Sequence, residues 1–141
     1  MWHTYLRVAD AAQARVRGVR GASWHNFATG DKGSFDANEL AVTPDTDTVI
    51  QGVGPALALL DPAWGRQIHV ETTRCPSAVV WNPRSSSTHA DNPTAQAWRD
   101  FVCVETGACK DNAVIVAPHS DLTMSTPVSY THLRAHETPE H

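Results

Sequence analysis

The sequence predicts an all-β domain arranged as a sandwich or a barrel. Three observations support this fold class: many short apolar segments rich in β-branched residues, frequent turn residues between them, and no helical pattern lasting ten residues. The chain has 141 residues, which fits one domain with a small hydrophobic core.

The first two strands are predicted from residue type and alternation. Residues 3–8 contain Thr, Tyr and Val, which favour extended backbone. After a turn, residues 14–19 alternate arginines with small or apolar side chains, as a strand with one buried face does. The following stretch, 18–36, carries four glycines and is predicted to be mostly loop.

Four strands are predicted in the middle of the chain. Residues 39–42 form a short strand that ends at the turn sequence Thr-Pro-Asp-Thr, and residues 47–52 form the next. Residues 55–60 and 67–72 are joined by a six-residue connection. We expect this last pair to form a hairpin.

Three more strands are predicted in the last part of the body. Residues 76–81 form a buried strand that stops at Asn-Pro, and a polar loop follows over 83–92. Residues 101–104 are the most hydrophobic run, and Glu105 comes directly after it. Residues 112–117 are predicted as the final strand.

Composition excludes several classes of function. A formal charge of −4 disfavours nucleic acid as a partner, and no apolar run approaches the roughly 18 residues of a membrane span. No signal peptide is visible, and three cysteines are too few for a disulfide framework, so we expect a reducing, cytoplasmic setting. The spacing of histidines and cysteines indicates no metal site.

The last fifteen residues, 127–141, differ from the body of the chain. They show no periodicity that would bury a face, and they carry three of the eight histidines. The string resembles the translation of a sequencing-library adapter. We therefore predict that 127–141 is an artefactual or disordered tail that packs against nothing, and assign the folded domain to 1–126.

Three polar residues are candidates for chemistry. Glu105 follows an apolar strand, where partial burial would raise its pKa toward that of a useful base; the alternative is a strand-end charge in water. His3 can donate a proton near neutral pH, or is an ordinary surface or core residue. Asp47 follows a turn, where Asp is also common for turn formation alone. Cys103 is interpreted as a core residue rather than a nucleophile.

These residues lie in segments that resemble one known family. The strand His-Thr-Tyr-Leu-Arg-Val at 3–8 and the segment Asp-Thr-Val-Ile at 47–50 are similar to segments of the aldose 1-epimerase superfamily. Val-Val-Trp-Asn-Pro at 79–83, followed by Asp-Phe-Val-Cys-Val-Glu-Thr at 100–106, resembles its D-hexose-6-phosphate mutarotase branch. The resemblance extends from about residue 2 to 124 and covers the C-terminal half of a typical member.

The resemblance implies a fold and a site. It implies an antiparallel, galactose mutarotase-like β-sandwich, with 1–126 as the C-terminal portion of that domain. It implies a hexose-6-phosphate 1-epimerase that interconverts α and β anomers, with Glu105 as base and His3 as acid. Asp47 would hold sugar hydroxyls and orient the histidine, and Trp81 is either a wall of the sugar cleft or a core residue. No cofactor is expected, because both steps are proton transfers, and the expected partner is a small sugar or sugar phosphate.

Two alternatives remain from the sequence. A non-catalytic carbohydrate-binding β-sandwich would need exposed aromatic side chains and no acid/base pair. An inactive fragment of a longer enzyme would lack one wall of the cleft, and we expect such a chain to be a poor catalyst that self-associates through an exposed sheet edge.

Overall fold

Eleven strands form two antiparallel sheets in the computed structural model, which describes residues 1–83 and 97–133. In chain order the strands are β1 (Tyr5–Arg7), β2 (Arg15–Arg17), β3 (Ser23–Asn26), β4 (Lys32–Ser34), β5 (Glu39–Ala41), β6 (Asp47–Gln51), β7 (Ala56–Asp61), β8 (Arg66–Glu71), β9 (Ser77–Trp81), β10 (Phe101–Gly107) and β11 (Val128–His132). The helical elements of the described part are short 3₁₀ turns at Ala11–Gln13, Pro62–Trp64 and Lys110–Asn112. The predicted all-β class is confirmed.

The two sheets pack face to face as a sandwich. The six-stranded sheet has the order β1-β10-β9-β6-β3-β4, and the five-stranded sheet has the order β11-β8-β7-β2-β5. The predicted hairpin is present, since β7 and β8 pair from Ala56 opposite Glu71 to Asp61 opposite Arg66. No helix in the described ranges is long and apolar enough to cross a membrane.

The core lies between the sheets and is built mainly from valine, leucine and alanine. Successive side chains of a strand point to opposite faces of its sheet, so every second residue of each strand points into the core. The largest apolar side chains with almost no exposure are Val8, Val16, Val19, Ile50, Leu57, Leu59, Leu60, Val70, Val80 and Val102. Apart from Leu60, which follows Leu59 on β7 and points to the opposite face, these residues belong to the core between the sheets. The outer face of the six-stranded sheet is therefore left for other roles.

Three predictions about elements are wrong. Residues 18–36 are not mainly loop: they contain the hairpin of β3 and β4, whose second strand, Lys-Gly-Ser, has no apolar residue to signal it. Residues 112–117 form no strand, and Ile115 is 96% exposed, because this run pairs with no neighbouring strand. The strand predicted over 101–104 continues to Gly107, so Glu105 lies within β10 and not after it.

The prediction that the tail packs against nothing is also wrong for its first residues. Strand β11 pairs with the edge of β8, with Tyr130 opposite Ile68. All five β11 residues are exposed, so the strand is held by backbone hydrogen bonds rather than by a buried face, and a search for apolar periodicity could not find it. Residues 134–141 of the tail and 84–92 of the predicted polar loop lie outside the described residues.

Candidate active site

The predicted site residues share the outer face of the six-stranded sheet. Trp81 lies directly opposite Cys103 on β10 and opposite Asp47 on β6. Glu105 lies two residues from Cys103 on the same strand, so its side chain leaves the sheet on the same side. Directly opposed residues of antiparallel strands point to one face, and the register therefore brings Asp47, Trp81 and Glu105 together.

His3 and Glu105 are in direct contact. His3 Nε2 lies 3.2 Å from Glu105 Oε1. This is closer than the roughly 5–8 Å expected for acid and base groups placed about a sugar ring. The two side chains differ in exposure: 49% of the histidine side chain is accessible, against 10% of the glutamate side chain. A protonated His3 would therefore form an ion pair with a carboxylate that water reaches poorly.

The surroundings of Glu105 raise its pKa above the usual value for a glutamate. Burial makes the largest contribution, because a carboxylate loses solvation there. His3 and the α-amino group of Met1 lower the pKa of Glu105, whereas the negative charge of Asp47 raises it further. The net effect is a carboxyl group whose ionisation is moved toward the pH at which a general base works best.

Aromatic rings surround the imidazole of His3. Tyr5 stacks on it with ring centroids 5.0 Å apart, and the Trp81 ring meets it edge-on at 5.4 Å. Phe101 extends this group, 5.1 Å from Tyr5 and 6.1 Å from Trp81. Tyr5 is 55% exposed, so the cluster offers an aromatic surface next to the Glu105 carboxylate.

Cys103 lies on this face beneath the aromatic rings. It is fully buried, opposite Tyr5 on one side and Trp81 on the other. Burial, with a smaller contribution from the charge of Glu105, raises the pKa of the thiol to about 12. The thiol therefore stays protonated at neutral pH and is not a nucleophile, as the sequence predicted.

Asn82 positions the strand that carries Glu105. Its side-chain Nδ2 donates to the backbone carbonyls of Trp98 and Phe101 at 2.7 and 2.8 Å, and its backbone N–H donates to Thr46. Asn82 is 1% exposed, so these bonds are shielded from water. The Trp-Asn-Pro sequence thus supplies Trp81 to the site face and fixes the start of β10.

A buried ion pair holds β1, the strand that follows His3. Asp61 on β7 is fully buried, accepts a hydrogen bond from the backbone N–H of Ala9 and pairs with Arg66 Nε at 2.9 Å. Arg66 also donates to the backbone carbonyl of Arg7. Because β1 pairs with β10 over only three residues, this pair from the other sheet contributes to holding His3 in place.

The four candidate residues from the sequence, His3, Asp47, Trp81 and Glu105, lie together on this face. One expected contact, between Asp47 and His3, differs from the prediction. Asp47 makes no hydrogen bond to His3 among the described residues, so nothing there shows that it orients the histidine. Sequence reasoning missed Phe101 as a member of the aromatic cluster. The alternation along β10 could have found it, since Phe101, Cys103 and Glu105 share one face.

No protein-family model matches the chain. A protein of Cenchrus ciliaris named "Putative glucose-6-phosphate 1-epimerase" is 25% identical over 109 residues, which are 76% of this chain and 33% of that protein. The chain therefore spans about a third of the length of this relative.

The structural comparison decides the fold. A "putative mutarotase" of Salmonella typhimurium matches with a TM-score of 0.74 at 20% identity, over 92% of this chain and 44% of that one. The chain has the mutarotase-like β-sandwich fold. A "Putative aldose 1-epimerase" of Escherichia coli K12 also matches, with a TM-score of 0.56 at 16% identity, over 92% of this chain and 50% of that one. The resemblance predicted from the sequence is confirmed at the level of the fold.

The candidate site lies on one face of the sandwich. The outer face of the six-stranded sheet carries His3, Glu105 and the aromatic cluster, while the inner face is filled by the core. No group of three or more His, Cys, Asp or Glu side chains within 1–83 and 97–133 is arranged to hold a metal ion. The contact between a largely buried carboxylate and a half-exposed imidazole is an arrangement that can transfer protons.

Proposed function

We propose that this chain carries the acid/base pair of an aldose 1-epimerase that interconverts the α and β anomers of a hexose 6-phosphate. One observation carries the proposal: a largely buried carboxylate with a raised pKa, Glu105, lies 3.2 Å from an imidazole on a sheet face rich in aromatic rings. The resemblance to named epimerases and mutarotases adds to it.

The reaction needs one base and one acid. The Glu105 carboxylate removes the proton from the C1 hydroxyl while His3 gives a proton to the ring oxygen, and the C1–O5 bond breaks to leave an open-chain aldehyde. Rotation about C1–C2 presents the other face of the carbonyl. The C5 hydroxyl then attacks C1, returning its proton to His3 as Glu105 protonates the new C1 oxygen. Protons are conserved, so no cofactor is required.

The environment of each group suits its role. Glu105 is only 8% exposed, and its raised pKa makes it a stronger base than an ordinary surface carboxylate. His3 is half exposed, so the ring oxygen of a bound sugar can reach its imidazole. Asp47 would accept hydrogen bonds from sugar hydroxyls, and Trp81, beside His3, would contact the apolar face of the ring.

The substrate and setting are finer parts of the proposal. A phosphorylated hexose is supported by the name of the Cenchrus ciliaris relative, at 25% identity. A reducing, cytoplasmic setting is supported by three free cysteines, of which Cys75 and Cys103 are buried.

A second function is favoured by the exposed aromatic surface. Tyr5, Trp81 and Phe101 lie within 6.3 Å of one another by ring centroid, and this arrangement also suits stacking of a sugar without catalysis. A carbohydrate-binding sandwich would bind hexoses through these rings and leave their anomer ratio unchanged. An inactive fragment would neither bind hexoses nor speed the exchange of their anomers.

The deciding experiment follows the optical rotation of fresh α-glucose 6-phosphate with and without the full chain, at protein concentrations high enough to detect a slow catalyst. We expect relaxation faster than in buffer, and slower relaxation with His3→Gln than with His119→Asn, a matched change at an exposed histidine. Binding of glucose 6-phosphate without faster relaxation would support the carbohydrate-binding alternative and overturn the epimerase proposal.

A further inference from the structure

Strand β1 leaves one edge of the six-stranded sheet open. It is the terminal strand of the order β1-β10-β9-β6-β3-β4, and its partner in the described part of the chain is β10. A cavity of about 230 Å³ lies beside β1, lined by Tyr5, Leu6 and Arg7 and, across the gap, by residues of β11. Because β11 pairs with β8 and is separated from β1 by this cavity, it does not cover the β1 edge.

The backbone groups along β1 alternate between β10 and the free side. The N–H of Val8 donates to the carbonyl of Asp100, so the even-numbered residues of this run bond toward β10. The N–H and C=O groups of His3, Tyr5 and Arg7 therefore point to the free side. A row of donors and acceptors of this kind is a template for a further strand.

This edge is complementary to a second copy of itself. Antiparallel pairing of two β1 strands about a two-fold axis at Tyr5 puts the two Tyr5 residues opposite each other and puts His3 opposite Arg7 of the second copy. The Arg7 carbonyl, which accepts a hydrogen bond from Arg66, keeps a second lone pair for this ladder. Tyr5 is 55% exposed and Trp2 is 45% exposed, and the pairing would cover part of both side chains.

The same pairing brings an arginine of the second copy to the candidate site. The register of β1 on β10 and the contact between the two side chains place His3 opposite Glu105. Directly opposed residues of antiparallel strands share a face, so Glu105, His3 and Arg7 of the second copy would stand in one row on the outer face. The backbones of Glu105 and that arginine would be two strand spacings apart, about 10 Å, which their two long side chains can cross.

The charges in this row are complementary. Glu105 and Asp47 put two carboxylates on the site face, and in the described ranges His3 is the only side chain that forms an ion pair with either of them. Arg7 is exposed and joins no ion pair within the same ranges. Its guanidinium lies 5.8 Å from the centre of the Trp64 ring, near the outer limit of a cation–π contact, and keeps its charge. An arginine without an acidic partner thus lies on the edge from which a second copy would carry it to the two carboxylates.

The size of the chain also favours a second copy as the occupant of this edge. The chain spans 44% of the Salmonella typhimurium mutarotase, so two copies have about the bulk of one such protein. Two-fold pairing is the commonest symmetry of soluble oligomers, and here it would remove the open β1 edge of both copies at once.

We propose that this chain dimerises by antiparallel pairing of β1 with β1 of a second copy, and that Arg7 of each copy completes the site at Glu105 of the other. Dimer formation does not depend on the proposed function, whereas the effect of Arg7 on the rate rests on it. Arg7 is a positioning residue: its guanidinium donates to the Glu105 carboxylate of the other copy and holds that carboxylate in place beside His3.

Cysteine cross-linking tests the register without any need for catalysis. Tyr5→Cys should form a disulfide-linked dimer under mild oxidation, because opposed residues of a hydrogen-bonded pair lie about 5.5 Å apart by Cα. His3→Cys and Arg7→Cys should each remain without a cross-link alone and form one when mixed. Wild type gives the background from Cys109, the native cysteine that is not buried, and Arg20→Cys is the control at an exposed position outside β1. Cross-linking of Tyr5→Cys no stronger than that of Arg20→Cys would overturn the proposed pairing.

Sedimentation equilibrium of wild type tests the dimer without any substitution. We expect a reversible exchange between monomer and dimer, with the dimer favoured as protein concentration rises. A monomer at every concentration up to the limit of solubility would overturn the proposal.

Mixing two variants tests whether the site is shared between copies. Arg7→Gln should slow anomer exchange of glucose 6-phosphate by about tenfold or more, the effect of losing one charged hydrogen bond. Arg7→Lys keeps the charge and should retain more of the rate. A mixed dimer of Arg7→Gln with Glu105→Gln contains one site with both native residues, so an equimolar mixture should recover about a quarter of the wild-type rate.

The outcomes separate this proposal from the epimerase proposal. A mixture no faster than the average of its two variants would overturn the shared site and leave Glu105 as the base. A wild-type chain that dimerises and cross-links as expected but does not speed anomer exchange would overturn the epimerase proposal and leave the dimer and its register standing.

Discussion

His3 Nε2 lies 3.2 Å from Glu105 Oε1, although His3 precedes the first strand and Glu105 lies in the tenth. The contact depends on long-range order: β1 pairs with β10, Asn82 fixes the start of β10, and the pair of Asp61 and Arg66 holds β1 from the opposite sheet. An exposed imidazole is thereby kept against a carboxylate that is largely buried.

Replacing the two charged neighbours of Glu105 should move its pKa in opposite directions. Asp47→Asn removes a negative charge that raises the pKa of Glu105, so its ionisation should move to lower pH. His3→Gln removes a group that lowers the pKa, so ionisation should move to higher pH. The measurement is a ¹³C titration of the Glu105 carboxyl, assigned with Glu105→Gln.

The control for this titration is Glu71→Gln, which neutralises an exposed carboxylate on β8. We expect it to leave the Glu105 titration unchanged. Shifts of the same sign in both neighbour variants would show that the charges of Asp47 and His3 do not act on Glu105 as described.

Glu105→Gln should raise the stability of the fold at neutral pH. The pKa of Glu105 is higher in the folded state than in the unfolded chain, because burial disfavours the charged form. Between those two pKa values the folded state binds more protons, so stability falls as pH rises. A neutral amide avoids this cost. Urea denaturation of wild type and Glu105→Gln at pH 7 measures the difference in their free energies of unfolding. A variant less stable than wild type would contradict the prediction.

Arg66→Ala should destabilise the fold by about 3–5 kcal/mol, the usual cost of leaving a buried charge without its partner. Asp61 is fully buried, and the Arg66 side chain is 19% exposed. The matched control is Arg99→Ala, whose side chain is 59% exposed in its pair with Asp10, so the pair should be worth about 0–1 kcal/mol. Denaturant midpoints measure both changes, and similar losses would refute a special role for the buried pair.

Much of the fold follows from local sequence. The strands β6, β7, β8 and β9 were predicted close to their actual bounds because each combines an apolar face with turn residues at its ends. The hairpin of β3 and β4 was missed because its second strand contains Lys, Gly and Ser, whose intrinsic preference for strands is weak. Its formation depends on pairing with β3, which a local pattern does not show.

The candidate site was predicted on different grounds. Neither His3 nor Glu105 stands out alone, and their proposed roles come from a resemblance of ordered motifs rather than from periodicity. The sequence placed Glu105 at the end of a strand, whereas β10 continues for two residues beyond it, Thr106 and Gly107.

Deleting residues 127–141 should cost the fold less than about 1 kcal/mol, because every β11 side chain is exposed and exposed backbone hydrogen bonds add little net stability. The deletion uncovers the edge of β8, so we also expect more self-association. Thermal unfolding and size-exclusion chromatography measure the two effects. A loss of several kcal/mol would show that the tail is an integral part of the domain.

The central claim is that Glu105 is the general base. The most direct test is the rate of anomer exchange of glucose 6-phosphate, followed by NMR exchange spectroscopy, for wild type, Glu105→Gln and Glu71→Gln. We predict that Glu105→Gln removes at least a hundredfold of the catalysed rate, as loss of a general base does, with little change in binding, while Glu71→Gln behaves as wild type. Exchange that proceeds equally fast in Glu105→Gln and wild type would contradict the account.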